Sequence, residues 1–486
     1  MNILQLNTTL KELKVIYAIC LVFIVVVSAA FYFNLDALAA LPLVFAAIYL
    51  CIYRTVFYML LLCFLIPFSL FFKDIGGGLG LSLPTEPMIW LLFSFFFLHL
   101  IMNGKINMKL FKIPIVAFLT LNLVWMVLSA FASSMPLVSL KYTLARFWFV
   151  MVFFFFLLKA FENPTIIRKF LTYLLYGTVI VVLITLFKHA KEDFERGWGY
   201  DIMKPFFEEH TMYSAYISFF IPIALLFATR GQYFNFNGFY RSLFLGIFIV
   251  LCVGIIFSFT RASWLSLIAA SVFYIFIKFK ISFKTIIFAL LFIVSIGFLK
   301  QDDILYSLEK NKQGSADDLE SHAQSVSNIT TDPSNLERVN RWECAILMFK
   351  ERPIFGFGPG TYTFQYAPFQ RPESLTLIST NTGDLGNTHS EYFNALSEMG
   401  LIGFISWVGL FLSSIYVALS LIYNQNNENW VKSLATAVLL GLFTYYIHAF
   451  LNNFTDFDKI AAPFWGFLSI LTILKLKYEN IKPNSI

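Results

Sequence analysis

The segment Phe259-Thr260-Arg261-Ala262-Ser263-Trp264 joins two long apolar runs with almost no loop between them. An arginine there sits at the end of a helix pair, partly below the water boundary. It can snorkel to headgroup phosphates, or it can be held at membrane depth to bind a phosphate or diphosphate delivered by a lipid. Arg146, in Leu144-Ala145-Arg146-Phe147-Trp148 at the start of another apolar run, has the same two readings. Together the two arginines outline an anion site.

A second constellation is Asn387-Thr388-His389-Ser390-Glu391, followed by Asn394, Glu398, Gly400 and Gly403. Thr388 and Glu391 have capping-box spacing, which predicts a helix with His389 in its first turn. The positive helix end then favours neutral imidazole, the form that accepts a proton. Glu391, Asn394 and Glu398 share a face by their spacing of three and four. An ordinary cap carrying a surface histidine is the bland alternative. Gly400 and Gly403 end the short helix and let the next one pack closely. Upstream, Pro353-Ile354-Phe355-Gly356-Phe357-Gly358-Pro359-Gly360 is not a dinucleotide fingerprint, because no strand precedes it and Pro359 breaks any following helix; it reads as a tight turn between aromatic side chains. In His448 to Lys459, asparagines and carboxylates lie at the edge of apolar helices, and Asp456 is expected either to pair with Arg261 or to bind hydroxyls.

The elements that must position these residues are membrane helices. Of 486 residues, 58% are hydrophobic and 13% charged, with a mean hydropathy of +0.73. A soluble domain would be roughly a quarter charged, and a transmembrane barrel would alternate in polarity over segments of about ten residues. Secreted and disordered chains are excluded as well, and no basic, aromatic-interleaved patch suggests nucleic acid. Cys20, Cys51, Cys63 and Cys252 lie in apolar runs and Cys344 in a polar one, without disulfide or metal spacing. The fold class is all-α, a polytopic membrane helix bundle of about 12 to 14 spans with a large outer loop containing short helices. Spans are expected near 15–33, 37–53, 55–72, 86–102, 112–131, 143–161, 168–187, 211–229, 241–259, 262–278, 283–299, 402–423, 431–451 and 459–476. The first is read as a retained helix, since no small-x-small cleavage site follows it. Alternate short connections carry most of the lysines and arginines and are therefore cytoplasmic, which places both termini inside. Lys188 to His210 and Lys300 to about Thr388 then lie outside. Leu336 to Phe349 has the stripe of an amphipathic helix resting on the membrane or the bundle. The chain divides into N-terminal helices (1–204), a helical core (205–299), the outer loop (300–401) and C-terminal helices (402–486).

Ser258-Phe259-Thr260-Arg261-Ala262-Ser263-Trp264-Leu265, Arg341-Trp342, Arg352-Pro353-Ile354-Phe355-Gly356-Phe357-Gly358, Asn387-Thr388-His389-Ser390-Glu391 and Gly400-Leu401-Ile402-Gly403 occur in this order. The set, with Asn452 to Lys459 and Pro463-Phe464-Trp465, resembles the O-antigen ligase and polymerase superfamily over roughly residues 205 to 470. The resemblance implies a multi-span glycosyltransferase of the bacterial inner membrane. Such an enzyme takes a glycan from undecaprenyl diphosphate on the periplasmic face and passes it to an acceptor, with inversion and without cofactor or metal. It implies that Arg261 binds diphosphate and that His389 serves at the catalytic centre. Arg146 and Arg196 are the two candidates for a second family arginine. Glu391 and Asn394 are grouped with the substrate-binding residues, Glu391 as cap and orienter of His389, and Arg341 would help hold the acceptor glycan.

The acceptor expected first is the lipid A core, as in a ligase; a second lipid-linked repeat or a protein hydroxyl are the alternatives within the family. A flippase for lipid-linked sugars is the competing class. It would call for internal repeats and polar mid-membrane helices, which the sequence lacks, and it leaves His389 and Arg261 on one face without a purpose.

Overall fold

A computed structural model of the chain describes residues 41–72, 80–104, 107–299, 333–372 and 386–478, with residues 17, 21–25, 28, 29, 32, 375 and 379. The span expected near 15–33 lies largely outside the described residues, as does the polar stretch from Lys310 to Asp332. Among the described residues ten helices are long and apolar enough to cross a membrane. In chain order the helices are α1 (Leu41–Tyr53), α2 (Thr55–Leu65), α3 (Thr85–Asn103), α4 (Pro114–Phe131), α5 (Pro136–Ala160), α6 (Pro164–Lys191), α7 (His210–Arg230) and α8 (Gly238–Ile256). They continue as α9 (Arg261–Lys278), α10 (Phe283–Leu299), α11 (Pro333–Glu351), α12 (Tyr362–Gln365), α13 (Glu391–Tyr423), α14 (Asn429–His448) and α15 (Asp458–Tyr478). The protein is a polytopic all-α membrane protein.

α15 is enclosed by the others, with Asp458 through Lys475 buried without interruption. A helix that is apolar all round has to be surrounded by protein or lipid, and here it is protein. Two expected boundaries move. The span near 55–72 stops at Leu65, because Pro67 occupies a 3-10 turn, Ile66–Phe68, and has no amide to continue the ladder. The chain then forms an antiparallel pair, Leu70–Phe72 with Leu81–Leu83, in which Leu70 faces Leu83. The sixth span begins at Pro136 and not near 143, so Arg146 lies ten residues into the helix, about 15 Å from its start.

Residues Glu391–Tyr423 form one helix with a break, where a short helix and a separate span were expected. Gly400 has φ 65 and ψ −162 inside α13, a region open to little besides glycine. The glycine turn after α11 fills the break. Leu401 N donates to Pro353 O at 2.9 Å, Phe357 N to Ser397 O at 3.0 Å and Gly358 N to Glu398 O at 2.9 Å. Trp125 Nε1 donates to Met399 O at 2.7 Å. The carbonyls orphaned by the break are thereby satisfied. A Cβ on Gly400 would lie 2.1 Å from Ile354 O. Gly400→Ala is therefore expected to destabilise the fold by at least about 2 kcal/mol, read as a lower unfolding temperature of the detergent-solubilised protein.

α11 rests on the bundle. Trp342 stacks on Phe393 at 5.3 Å between ring centroids and meets Phe450 edge-on at 5.5 Å. On its other side Cys344, Ala345 and Met348 pack with Phe357, Tyr362 and Tyr366 in a separate small core. One end of the bundle collects basic residues: Arg230 Nη1 donates to Ser433 Oγ at 3.2 Å, Arg168 Nη1 to Phe234 O at 2.7 Å, and Lys477 to Glu162 O. The starts of α7, α9, α13 and α15 and the end of α14 meet at the opposite end.

Candidate active site at the end of the bundle

His389 precedes the helix and does not lie in its first turn. The N-cap is Ser390, whose side chain accepts from Phe393 N; Thr388 Oγ1 instead donates to Ser390 O at 2.9 Å. His389 takes a left-handed backbone conformation, φ 48, held by its amide donating to Asn387 Oδ1 at 2.9 Å. A histidine at positive φ is uncommon and persists only where its surroundings fix it.

The neutrality expected of His389 has a different cause from a helix dipole. Burial, then the charges of Arg338 and Arg341 on α11, lower its pKa to about 4, against a smaller opposing pull from Glu337 and from an Asn452 hydrogen bond. Arg338 is anchored beside the site by Nε donating to Leu451 O at 3.3 Å. Arg341 is buried, its Nε 2.6 Å from Glu337 Oε1 and its guanidinium carbon 3.9 Å from the Tyr366 ring centroid. A Cβ on Gly386 would lie 1.7 Å from Arg341 Nη1, so any other residue there would require the guanidinium to shift. Burial lowers the arginine's pKa, and Glu337 and Tyr366 more than offset it, leaving the pKa raised.

The Glu391 carboxylate is taken up by α14 and the turn before α15. Its Oε1 accepts from Tyr445 OH at 2.9 Å, Thr455 N at 2.8 Å and Thr455 Oγ1 at 2.7 Å. Asn394 Nδ2 donates to Glu398 Oε2 at 3.0 Å, and Glu398 also accepts from Gly360 N at 2.8 Å and Tyr362 N at 3.0 Å. The shared face of Glu391, Asn394 and Glu398 is present, turned inward as a scaffold that ties the glycine turn to the start of α13.

Arg261 is the first residue of α9. Two residues on, Ser263 Oγ lies 3.3 Å from His448 Nδ1, and His448 Nε2 lies 3.1 Å from Asn452 Nδ2. A buried polar chain therefore runs from the start of the Arg261 helix through His448 to Asn452, in the turn after α14. Arg196 is partly exposed, its Nη2 donating to Tyr200 OH at 3.0 Å, and Tyr200 meets the His210 ring edge-on at 4.8 Å. His210 O accepts from Thr260 Oγ1 at 3.3 Å, so Arg196 belongs to the Arg261 side.

Arg146 is elsewhere. It is 3% exposed, with Nε 2.5 Å from Asp456 Oδ1, Nη2 2.8 Å from Asp456 Oδ2 and Nη2 3.2 Å from Thr455 Oγ1. Tyr142 OH also donates to Asp456. Asp456 thus pairs with Arg146, where the sequence suggested Arg261. A guanidinium well inside a membrane helix needs a bidentate carboxylate, and the turn before α15 supplies it. Arg338 escaped the sequence reading, although its spacing of three puts it beside Arg341 on α11; His448 and Asn452, read in the sequence only as part of a polar run, are four apart across a helix end.

The architecture is that of a multi-span membrane protein with a neutral histidine beside arginines at one end of its bundle. Residues 246–408 match the family described as O-antigen ligase, a match that supports the O-antigen ligase and polymerase superfamily, whose members are glycosyltransferase-like enzymes. It is also 25% identical over 300 residues to an uncharacterized protein of Haemophilus influenzae, covering 60% of this chain and 69% of that protein.

Proposed function

We propose that this protein transfers a glycan from undecaprenyl diphosphate to an acceptor hydroxyl on the periplasmic face of the inner membrane, with the lipid A core as acceptor. The observation that carries this reading is the half-buried His389, held at positive φ before α13, with the charges of Arg338 and Arg341 lowering its pKa. A sugar hydroxyl is a weak nucleophile. His389 takes its proton as the oxygen bonds to the anomeric carbon, while the bond from that carbon to the diphosphate oxygen breaks. One displacement inverts the anomeric centre. The departing diphosphate keeps the electron pair, and Arg338, with Arg261 and Arg341, meets the growing charge without reorganising. Arg196 stands at the rim on the Arg261 side. Arg146 already has its carboxylate and is assigned to the scaffold in this reading, in place of the diphosphate role considered for it above.

The test is transfer by purified protein in EDTA from undecaprenyl-diphosphate-linked glycan to three acceptors: lipid A core, a second lipid-linked repeat and a serine-bearing protein. Product on lipid A core supports ligation; product on either other acceptor moves the protein to polymerisation or protein glycosylation. Arg338→Ala and Arg261→Ala are each expected to lower kcat by ~10²–10³, the usual loss when a charge-stabilising donor is removed. Unchanged kcat in both folded variants would remove the arginines from the reaction.

A further inference from the structure

We propose that the cleft between the Leu70–Leu83 hairpin and the starts of α7 and α15 binds one neutral sugar residue, which enters with its hydroxyl edge first. The inference rests on the protein handling glycans, and it adds a contact with the glycan apart from the residues around His389.

Three segments build the cleft. Phe71 and Ser82 are direct cross-strand partners, so their side chains stand on one face of the hairpin, and both line the cleft. Phe206 and Glu208, just before α7, and Phe457 and Lys459, at the start of α15, line it as well. Lys459 is 5% exposed and fixed in place. Its Nζ donates to Ser69 O at 3.0 Å and to Ser69 Oγ at 2.6 Å, and lies 5.3 Å from the Phe207 ring centroid. An ammonium has three hydrogens, so one remains after the two bonds to Ser69. The neighbouring Asp458 carboxylate already accepts from Ser69 Oγ, Thr85 Oγ1 and Lys459 N. Glu208 is exposed, and among the described residues neither its carboxylate nor Ser82 Oγ has a hydrogen-bond or ion-pair partner.

This mixture selects the ligand. An anion drawn to Lys459 is repelled by Glu208 and Asp458, and a cation drawn to the carboxylates is repelled by Lys459. A hydroxyl suffers neither penalty: it donates its hydrogen to Glu208 and accepts from Lys459 or Ser82. The cleft has a volume of about 40 Å³, room for roughly three water molecules. That space takes two or three hydroxyls and leaves the sugar ring at the mouth. There Phe71 is 40% and Phe457 36% exposed, and their rings offer apolar faces to the C–H bonds of the sugar. A zwitterionic lipid headgroup also answers both signs, but its phosphate and ammonium together bring more heavy atoms than three waters. Asn452 and Asp458 are six residues apart, and a chain of that length spans at most about 22 Å. An oligosaccharide seated in the cleft therefore extends toward the end of α14.

The test is saturation-transfer NMR on the full-length protein in lipid nanodiscs. The probes are maltotriose and chitotriose (neutral), trigalacturonate (anionic) and triglucosamine (cationic). Wild type is expected to bind a neutral probe at least about tenfold more tightly than either charged one, the loss expected when a hydrogen bond to a charged group is replaced by a repulsion. Glu208→Ala is expected to weaken neutral binding about tenfold or more and Ser82→Ala about fivefold. Glu208→Lys should turn the preference to trigalacturonate. In transfer assays the same alanine variants should keep kcat within twofold and raise one KM: that of the donor if the cleft takes the transferred glycan, that of the acceptor if it takes the receiving one. The proposal is overturned if wild type binds no probe or binds all alike, if both alanine variants bind like wild type, or if dihexanoyl phosphatidylethanolamine displaces the sugar. The binding measurement needs no turnover, so selective sugar binding without glycan transfer would remove the transfer reading and leave the cleft, whereas transfer without probe binding would do the reverse.

Discussion

His389→Ala is expected to lower glycan transfer at neutral pH by ~10²–10⁴, the contribution of a positioned general base, with the folded protein still binding the donor. The pH profile carries the finer expectation. A base works only when deprotonated, so the rate should fall as pH drops through the pKa of His389. In the free protein burial and the charges of Arg338 and Arg341 hold that pKa down to about 4, so kcat/KM should have its acidic limb near there. Bound diphosphate offsets the two arginines, the proton affinity of the ring rises, and the limb of kcat should lie at higher pH than that of kcat/KM. A kcat/KM profile flat down to pH 3 in wild type, or a His389→Ala variant within twofold of wild type, would remove His389 from proton transfer.

Asp456→Ala is expected to destabilise the fold by about 3–5 kcal/mol, because it leaves the Arg146 guanidinium buried and uncompensated. That is a large share of a total stability of roughly 5–15 kcal/mol, so the measurement is the yield of monodisperse protein and its unfolding temperature. Asp456→Asn should cost less, since its amide oxygen still accepts from Arg146. The pair Arg146→Met with Asp456→Leu should recover most of the loss, as apolar replacements of buried ion pairs commonly do. Recovery of stability together with transfer would assign Arg146 to the scaffold. If Arg146→Met alone left stability unchanged and abolished transfer, the arginine would belong to the diphosphate site.

The helices were legible because span lengths and apolar composition are local properties of the chain. Boundaries moved where a single residue overruled the hydropathy, as at Pro67 and Pro136. His389, Arg261 and Arg341 were legible as residue types at a helix end. Their partners were not, because partnership depends on which helix ends meet. Thr388 and Glu391 have the spacing of a cap, but Thr455 and Tyr445, more than fifty residues on, take up the Glu391 carboxylate. Asp456 was recognised as needing a cation, and only the depth of Arg146 in α5 decides which one. Arg338 looked like one more charge on an amphipathic helix until α11 was seen to lie against the turn that follows α14.

The turn before α15 fastens the parts of this chain that the family match separates. Thr455 and Asp456 hold Arg146 and Tyr142. Asp458 accepts from Ser69 Oγ at 2.7 Å and Thr85 Oγ1 at 2.6 Å, and Lys459 Nζ donates to Ser69 O at 3.0 Å. The residues that bear the family pattern and the N-terminal third that does not are therefore no interchangeable modules. A chimera that grafts residues 246–408 from a relative would keep this clasp whole, whereas one that joins a foreign N-terminal half to this C-terminus would leave Asp456 without its arginine and the Asp458–Lys459 pair without Ser69 and Thr85. Divergence in the first third is thus constrained at positions 69, 85, 142 and 146 by a turn more than three hundred residues away in sequence.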